Sequence, residues 1–178
     1  MSRSAHPRAA RREHIAARVG PRGCLALAAL LTCGEAAAVV DCAVSTTGVA
    51  FGTYDPLATT PNDSTGNVTI VCTHVSGGAT QLSYSVALSP GSSGTFSQRL
   101  LRAGSSELNY NLFSNTARSA VWGDGTAGST VAAGSATVGP GVGNGRREDV
   151  RPIYGRIPAQ QDALSGTYAD AIIVTLAF

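Results

Sequence analysis

The 178-residue sequence contains no lysine, and charged residues of all kinds make up only 13% of it, about half the usual share. Six of its 13 basic residues, all arginines, lie before residue 24. From residue 39 onward seven arginines face nine acidic residues, so this part carries a net charge of about −2. It offers no basic stripe to a phosphate backbone, so nucleic acid is not an expected partner.

Residue types that carry catalysis are also scarce. From residue 39 onward the only histidine is His74, which lies in a segment rich in Gly and Ser and is read more simply as a solvated loop residue than as a general base. The acids are dispersed, and no G-x-S-x-G nucleophile elbow occurs. Two cysteines and one histidine do not make a four-ligand metal site. We therefore expect a protein that is not an enzyme and has no metal or other cofactor.

A helical pattern is missing too, since no window of a dozen residues places apolar side chains three, four and seven positions apart. The sequence instead has short alternating segments separated by clusters of Gly, Ser, Asn and Pro, such as TTPNDSTG and SPGSSGTFS. Strands at this spacing predict an all-β sandwich. The predicted strands are 42–51, 67–73, 82–88, 108–113, 120–122, 129–138, 153–157 and 169–178.

The beginning of the chain has the pattern of an export signal. An arginine-rich region precedes the short apolar run CLALAALLTC, and the small residues GEAAA follow. This order predicts a secretory signal peptide over residues 1–38, cleaved after Ala38. The apolar run falls short of the roughly 20 residues that span a bilayer. Rival interpretations are a twin-arginine signal at Arg11 and Arg12 and a lipid-acylated Cys33. Residues 39–178 then form one exported domain.

Two of the four cysteines, Cys42 and Cys72, remain after the predicted cleavage. An isolated pair in an exported protein predicts a disulfide. Alternation in segment 67–73 places Cys72 on the core face, so a bond to Cys42 would join two neighbouring strands.

The last predicted strand, 169–178, is apolar on both faces. Ile172, Val174, Leu176 and Phe178 share one face. Because an exposed apolar edge is prone to aggregation, such a strand needs a neighbour on each side. Two solutions stay open: a central strand paired within the domain, or an edge completed by a strand from another chain.

Six motifs follow one another along the predicted domain: FGTYDP, VTIVCT, LNYNLF, VWGDGT, IYGRIPAQQ and GTYADAIIVTLAF. Together they resemble the spore coat protein U domain, a family that includes subunits of archaic chaperone–usher pili. The resemblance implies an immunoglobulin-like sandwich that lacks its last strand. A periplasmic chaperone would complete it first, and the next subunit would replace the chaperone at an outer-membrane usher. The stretch GVGNGRREDV resembles no motif of the family and is predicted to be a variable loop.

These expectations describe a structural subunit of a surface fibre, with the chaperone, the usher and neighbouring subunits as partners and Ile172, Val174, Leu176 and Phe178 along the acceptor groove. It would pass through the periplasm to the cell surface. Only three residues separate the predicted cleavage site from Cys42, about 10 Å of strand. That is too short for a donor, so the subunit is expected at the tip or another end of a fibre.

Two other functions stay open: a surface adhesin and a free-standing coat or matrix protein. For the adhesin, the candidate ligand loop contains Trp122 and Asp124 of the VWGDGT motif. Trp122 fits a stacking platform and a packed core residue equally well, whereas Asp124 is read more simply as the acceptor of a turn hydrogen bond. Arg156 would pair with an acid across the sandwich.

Overall fold

A computed structural model describes residues 37–178, so all but the last two residues of the predicted signal peptide lie outside the described part. Within it the chain forms eight strands and no α-helix. The strands are β1 (Val39–Thr47), β2 (Asn62–Ser76), β3 (Thr80–Leu88), β4 (Arg99–Ala103), β5 (Ser106–Phe113), β6 (Ala132–Val138), β7 (Arg146–Ile157) and β8 (Val174–Ala177).

The strands build two antiparallel sheets. One has the order β1-β2-β7-β5-β4 and the other the order β6-β3-β8. The all-β, immunoglobulin-like sandwich expected from the sequence is therefore confirmed as an architecture of two sheets.

The core lies between the inner faces of β2, β3 and β5. Their inward side chains are at most 4% exposed, as the period-two pattern predicts. Leu82, predicted among them, is only partly buried near the start of β3. The buried set comprises Val68, Ile70, Cys72, Tyr84, Val86, Leu88, Leu108, Tyr110 and Leu112.

The predicted disulfide is present. Cys42 lies directly opposite Cys72 in the pairing of β1 with β2, and the two residues are bonded. The bond closes a loop of 30 residues, which in the chain-entropy account stabilises the domain by about 3–4 kcal/mol. It thus fixes the edge strand β1 to the core strand β2.

The prediction of a variable loop over residues 141–150 is wrong from Arg146 onward, where a strand of 12 residues begins. This first half of β7 pairs with β2, from Arg146 opposite Thr73. Charged residues are poor strand formers, but pairing and packing override that preference. Asp149 accepts a hydrogen bond from Tyr84 in the other sheet and forms an ion pair of 2.7 Å with Arg151. Polar contacts therefore join the two sheets at this end.

Other strand boundaries also differ from the prediction. β4 is not among the predicted strands, although Gly104, at φ +62°, marks the tight turn that leads from it into β5. β1 ends at Thr47 rather than residue 51, immediately before Gly48. The predicted strand 120–122 consists only of isolated bridges, and β6 begins three residues late, at Ala132.

Arg156 pairs with a neighbouring strand of its own sheet rather than across the sandwich. Its Nε and Nη2 donate to the two carboxylate oxygens of Asp63 on β2, at 2.7 and 2.8 Å. This hydrogen-bonded pair holds the pKa of Asp63 below its ordinary value. Arg118 contacts the same carboxylate at 3.2 Å and thereby ties the loop after β5 to the sheet.

Candidate binding groove

The strands β1 and β8 are edge strands of different sheets, and their core-facing side chains are incompletely covered. Val44 of β1 is 37% exposed, although alternation turns it towards the core. On β8, Val174 and Leu176 are only partly buried, whereas their cross-strand neighbours Leu88 and Val86 on β3 are 1% and 0% exposed. Apolar surface that belongs to the core is therefore open to solvent along both edges.

A cleft of about 210 Å³ lies between these edges. One wall contains Val49 and Phe51, which follow β1, and the other contains Ile172, just before β8, and Val174, its first residue. The core residue Leu112 lines the bottom of the same cleft. The cleft thus reaches from the surface to the hydrophobic core.

A larger cleft of about 840 Å³ continues from the smaller one. It lies between the segment 49–56 on one side and the segment 163–170 on the other. The two clefts share Val49, Phe51, Leu101 and Asp170 in their linings. We therefore treat them as one feature, called the groove from here on.

Aromatic and polar contacts fix the middle of the groove. The rings of Phe51 and Tyr110 meet edge to face, with centroids 5.9 Å apart. The hydroxyl of Tyr110 donates to Asp170 at 2.7 Å. Burial, together with this carboxylate, raises the pKa of Tyr110, so the phenol stays a neutral donor. The two walls are thus connected through one buried side chain.

The last segment of the chain changes sheets beside the groove. Ala169 exchanges two backbone hydrogen bonds with Arg102 of β4, at 2.9 and 3.1 Å, so it lies on the first sheet. Ile173 instead bonds to Ser89 at the end of β3, on the second sheet. The predicted strand 169–178 is therefore wrong in its first half, and only Val174–Ala177 is a strand.

Asp170 fixes this crossing. Besides the Tyr110 hydroxyl, its carboxylate accepts the backbone N–H groups of Ser92 and Ala171, at 3.0 and 2.9 Å. A Cβ on Gly91 would lie 2.1 Å from Oδ2 of Asp170, so the turn before β4 has room only for glycine. The direction in which the chain enters β8 is therefore set by contacts of Asp170 with groups that are distant in sequence, the Ser92 amide and the Tyr110 hydroxyl.

Gly155 of β7 supports the opposite wall, and a methyl group there should distort the groove. An added Cβ would lie 2.7 Å from Cζ of Phe51 and 2.7 Å from Cγ1 of Val49. We expect Gly155→Ala to lower the free energy of unfolding by about 1–3 kcal/mol, as overpacking does. Thermal melting measures the loss. Gly78→Ala is the control, because its Cβ would meet nothing within 4 Å. Equal melting temperatures for the two variants would contradict the contact.

Of the residues predicted to line the groove, Ile172, Val174 and Leu176 pack against the core from one face, and the first two of them line the smaller cleft. Phe178 does not join them, since it is 61% exposed. Their role in binding a partner strand stays a proposal. The sequence did not predict the opposite wall of the groove. The available signal for it was the motif FGTYDP, which includes Phe51.

The two residues of the candidate ligand loop have different roles in the structure. Trp122 is 1% exposed and its Nε1 donates to the carbonyl oxygen of Val86 at 2.9 Å, so it is a core residue and the stacking platform is wrong. Asp124 is exposed and accepts from Oγ1 and the backbone N–H of Thr126, at 2.6 and 2.8 Å. These bonds lower the pKa of its carboxyl group, and the predicted turn hydrogen bond is confirmed.

Among residues 37–178, no three His, Cys, Asp or Glu side chains are grouped so that they could hold a metal ion. His74 lies near the end of β2 rather than in the predicted loop, with Nε2 3.0 Å from the carbonyl oxygen of Gly77. In the same part of the chain, no helix has the length and hydropathy needed to cross a membrane.

Comparison with known proteins places the chain in a family. The family model described as Spore Coat Protein U domain matches residues 27–175. Protein U of Myxococcus xanthus is 30% identical over 135 residues, which cover 72% of this chain and 70% of that protein.

A solved structure was also found, the CsuC–CsuE chaperone–tip adhesion subunit pre-assembly complex from archaic chaperone–usher Csu pili of Acinetobacter baumannii. It matches at 25% identity with a TM-score of 0.49, over 79% of this chain and 40% of that chain. The chain thus spans less than half of that solved chain. Because the family match extends over most of the sequence, the chain belongs to the Spore Coat Protein U domain family.

Proposed function

We propose that the chain is an exported structural subunit of a chaperone–usher surface fibre and that its groove accepts a β-strand from another chain. The observation that carries this proposal is the open apolar groove between the β1 side and β8. Ile172 and Val174 line this groove, and Val44 of β1 and Leu176 of β8 lie on its flanking strands with their side chains turned to the core, yet none of the four is fully covered. A domain of this kind gains stability when apolar side chains from elsewhere cover them.

The backbone of the groove supports the same proposal. β8 pairs only with β3, through Val174–Ala177, and β1 pairs only with β2 within the described residues. Both strands therefore offer unpaired N–H and C=O groups on one side. An extended segment laid along such an edge gains main-chain hydrogen bonds and places alternate side chains on the apolar floor.

The family and the six motifs support the order of partners. A periplasmic chaperone would occupy the groove first, and a neighbouring subunit would replace it at an outer-membrane usher. The chain would then reach the cell surface as part of the fibre. The fibre is a structural assembly, so the proposed function needs no catalytic group.

The expected result is a stable complex with the cognate chaperone. Full chain expressed with that chaperone should be recovered from the periplasm as a one-to-one complex, whereas chain expressed alone should give a minor folded monomer fraction beside aggregates and strand-swapped oligomers formed through its open edge. Size-exclusion chromatography of the two preparations measures the difference. A monodisperse lone monomer that leaves the chaperone unbound would contradict the proposal.

We further propose that the subunit lies at one end of its fibre. β1 begins at Val39, which already pairs with Ser76. If cleavage follows Ala38, no residue ahead of the sheet is free to act as a donor strand. N-terminal sequencing of the exported protein is expected to give Val39 as the first residue. A mature chain that begins about ten residues earlier would have a donor segment and would overturn the terminal position.

A free-standing coat protein is the second candidate, favoured by the description of the matched family and by the 30% identity to Protein U. The occupant of the groove separates the two functions. A fibre subunit binds a strand from a chaperone, whereas a free-standing coat protein must be stable with its own strands. The same chromatography therefore decides between them.

A further inference from the structure

Arg99 of β4 is charged, yet it is completely buried. Its Nη1 donates to Oδ1 of Asn111 at 2.7 Å, and its Nη2 donates to the carbonyl oxygen of Trp122 at 2.7 Å. Nη2 and Nε both donate to the carbonyl oxygen of Ser89, at 2.8 and 3.2 Å. The guanidinium group also lies 5.5 Å from the ring centroid of Phe96. One side chain thus joins three segments that are distant in sequence.

The acceptors of Arg99 are neutral. Among the ion pairs of residues 37–178, none involves Arg99. Burial lowers the pKa of its guanidinium group, and a buried charge is costly unless its donors are all satisfied. A side chain that only filled space here would more simply be apolar. The arrangement therefore points to a task that needs the branched donor group of arginine.

Ser89 connects Arg99 to the groove. While its carbonyl oxygen accepts from Arg99, its backbone N–H donates to the carbonyl oxygen of Ile173 at 2.9 Å. Its Oγ accepts the backbone N–H of Ile173, also at 2.9 Å. Ser89 is thus held on one side by Arg99 and holds, on the other side, the residue that precedes β8.

β8 depends on such support because it is short. It has four residues and pairs with one strand only, and it is shorter than the typical strand of about five or six residues. Its other edge is the one that we propose for an incoming strand. The position of that edge is therefore set largely by the residues that anchor the chain just before Val174.

We propose that Arg99 is a positioning residue of the groove: through Ser89 and Ile173 it holds β8 where its free edge can pair with an incoming strand. This inference rests on the function proposed above. Lysine cannot replace arginine in this role, since one ammonium group cannot reach Ser89, Asn111 and Trp122 in the same planar arrangement.

Hydrogen exchange of the full chain tests the positioning role. In Arg99→Lys we expect the amides of Val174–Ala177 to exchange about tenfold faster, the loss of roughly one charged hydrogen bond, while the amides of Val68, Ile70 and Cys72 keep their protection. Arg102→Lys is the matched control, because Arg102 lies on the same strand with an exposed side chain. A uniform loss of protection in both regions, or no loss in β8, would overturn the inference.

If Arg99→Lys does not fold, Ser89→Ala tests the connection to β8 instead. This variant removes the Oγ that accepts the Ile173 amide and, at 3.4 Å, the Gly91 amide, and it leaves the backbone contacts of Ser89 with Arg99 and Ile173 in place. We expect the same selective loss of protection in β8. Unchanged exchange in Ser89→Ala would count against the connection through Ser89.

Strand binding provides the second measurement. The probe is a synthetic peptide of about ten residues with valine at alternate positions and threonine between them, the pattern of a half-buried strand. We expect Arg99→Lys to weaken its binding about tenfold relative to the wild type and to Arg102→Lys. Equal binding by all three proteins would overturn the positioning role. If even the wild type fails to bind, the proposed function fails, while the exchange experiment still decides whether Arg99 positions β8.

Discussion

Val174→Asp and Leu176→Asp are expected to abolish capture by the chaperone. Both side chains face the core but are only partly buried in the isolated domain, so a carboxylate at either position can still reach water before a partner binds. An incoming strand would cover that carboxylate without offering an opposite charge. Such burial costs several kcal/mol, and about 4 kcal/mol already corresponds to a thousandfold loss of affinity. Co-purification with the chaperone measures the effect.

Two controls separate loss of binding from loss of the fold. Thr175 lies between the two sites on the exposed face of β8, and Thr175→Ser should bind the chaperone as the wild type does, with a stability change within about 0.5 kcal/mol. Val86→Ala removes buried volume opposite Leu176 without adding charge, so it reports on general destabilisation. Wild-type capture by both aspartate variants would exclude a groove along β8.

Alternation along the sequence was enough to predict the core and the disulfide. Val68, Ile70 and Cys72 face inward as predicted, because a side-chain period of two follows from strand geometry alone. Cys72 could be paired with Cys42 because no third cysteine follows the predicted cleavage site. These features depend on local geometry and on residue counts, which a single sequence contains.

The walls of the groove depend on contacts that a single sequence does not reveal. The segment 169–178 reads as one apolar strand, yet it changes sheets because the carboxylate of Asp170 binds Ser92 and Tyr110. Similarly, the arginine-rich stretch at the start of β7 becomes a strand through its pairing with β2. In both cases tertiary partners far along the chain override the local pattern. The four charged residues of RRED carried no strand signal.

The position of Arg99 shows the same limit. Its strand, β4, has five residues and alternates weakly, so its pattern does not indicate a charged side chain in the core. The buried charge is stabilised because Ser89, Asn111 and Trp122 all accept hydrogen bonds from one guanidinium group. Such convergence is a property of the folded chain.

A strand supplied in cis should stabilise the domain strongly. We consider the chain from Val39 extended after Phe178 by a short Gly-Ser linker and the alternating Val-Thr strand, so that the strand can fold back along the free edge of β8. Covering the exposed parts of Val44, Ile172 and Val174 would bury on the order of 100–150 Å² of apolar surface, worth about 3–4 kcal/mol before ordering costs. A linker makes the binding intramolecular, so little of this gain is lost to association.

The expected result is a melting temperature about 10 °C above that of the chain without the added strand, since a domain of this size gains about 3–4 °C per kcal/mol. The matched control carries aspartate at every valine position of the added strand, which keeps length, linker and alternation but removes the apolar face. Its melting temperature should equal that of the unextended chain, because the cost of burying carboxylates would offset the gain from any main-chain pairing. If the valine and aspartate extensions melt alike, the groove gains nothing from an apolar strand, and the sandwich is complete with its own eight strands.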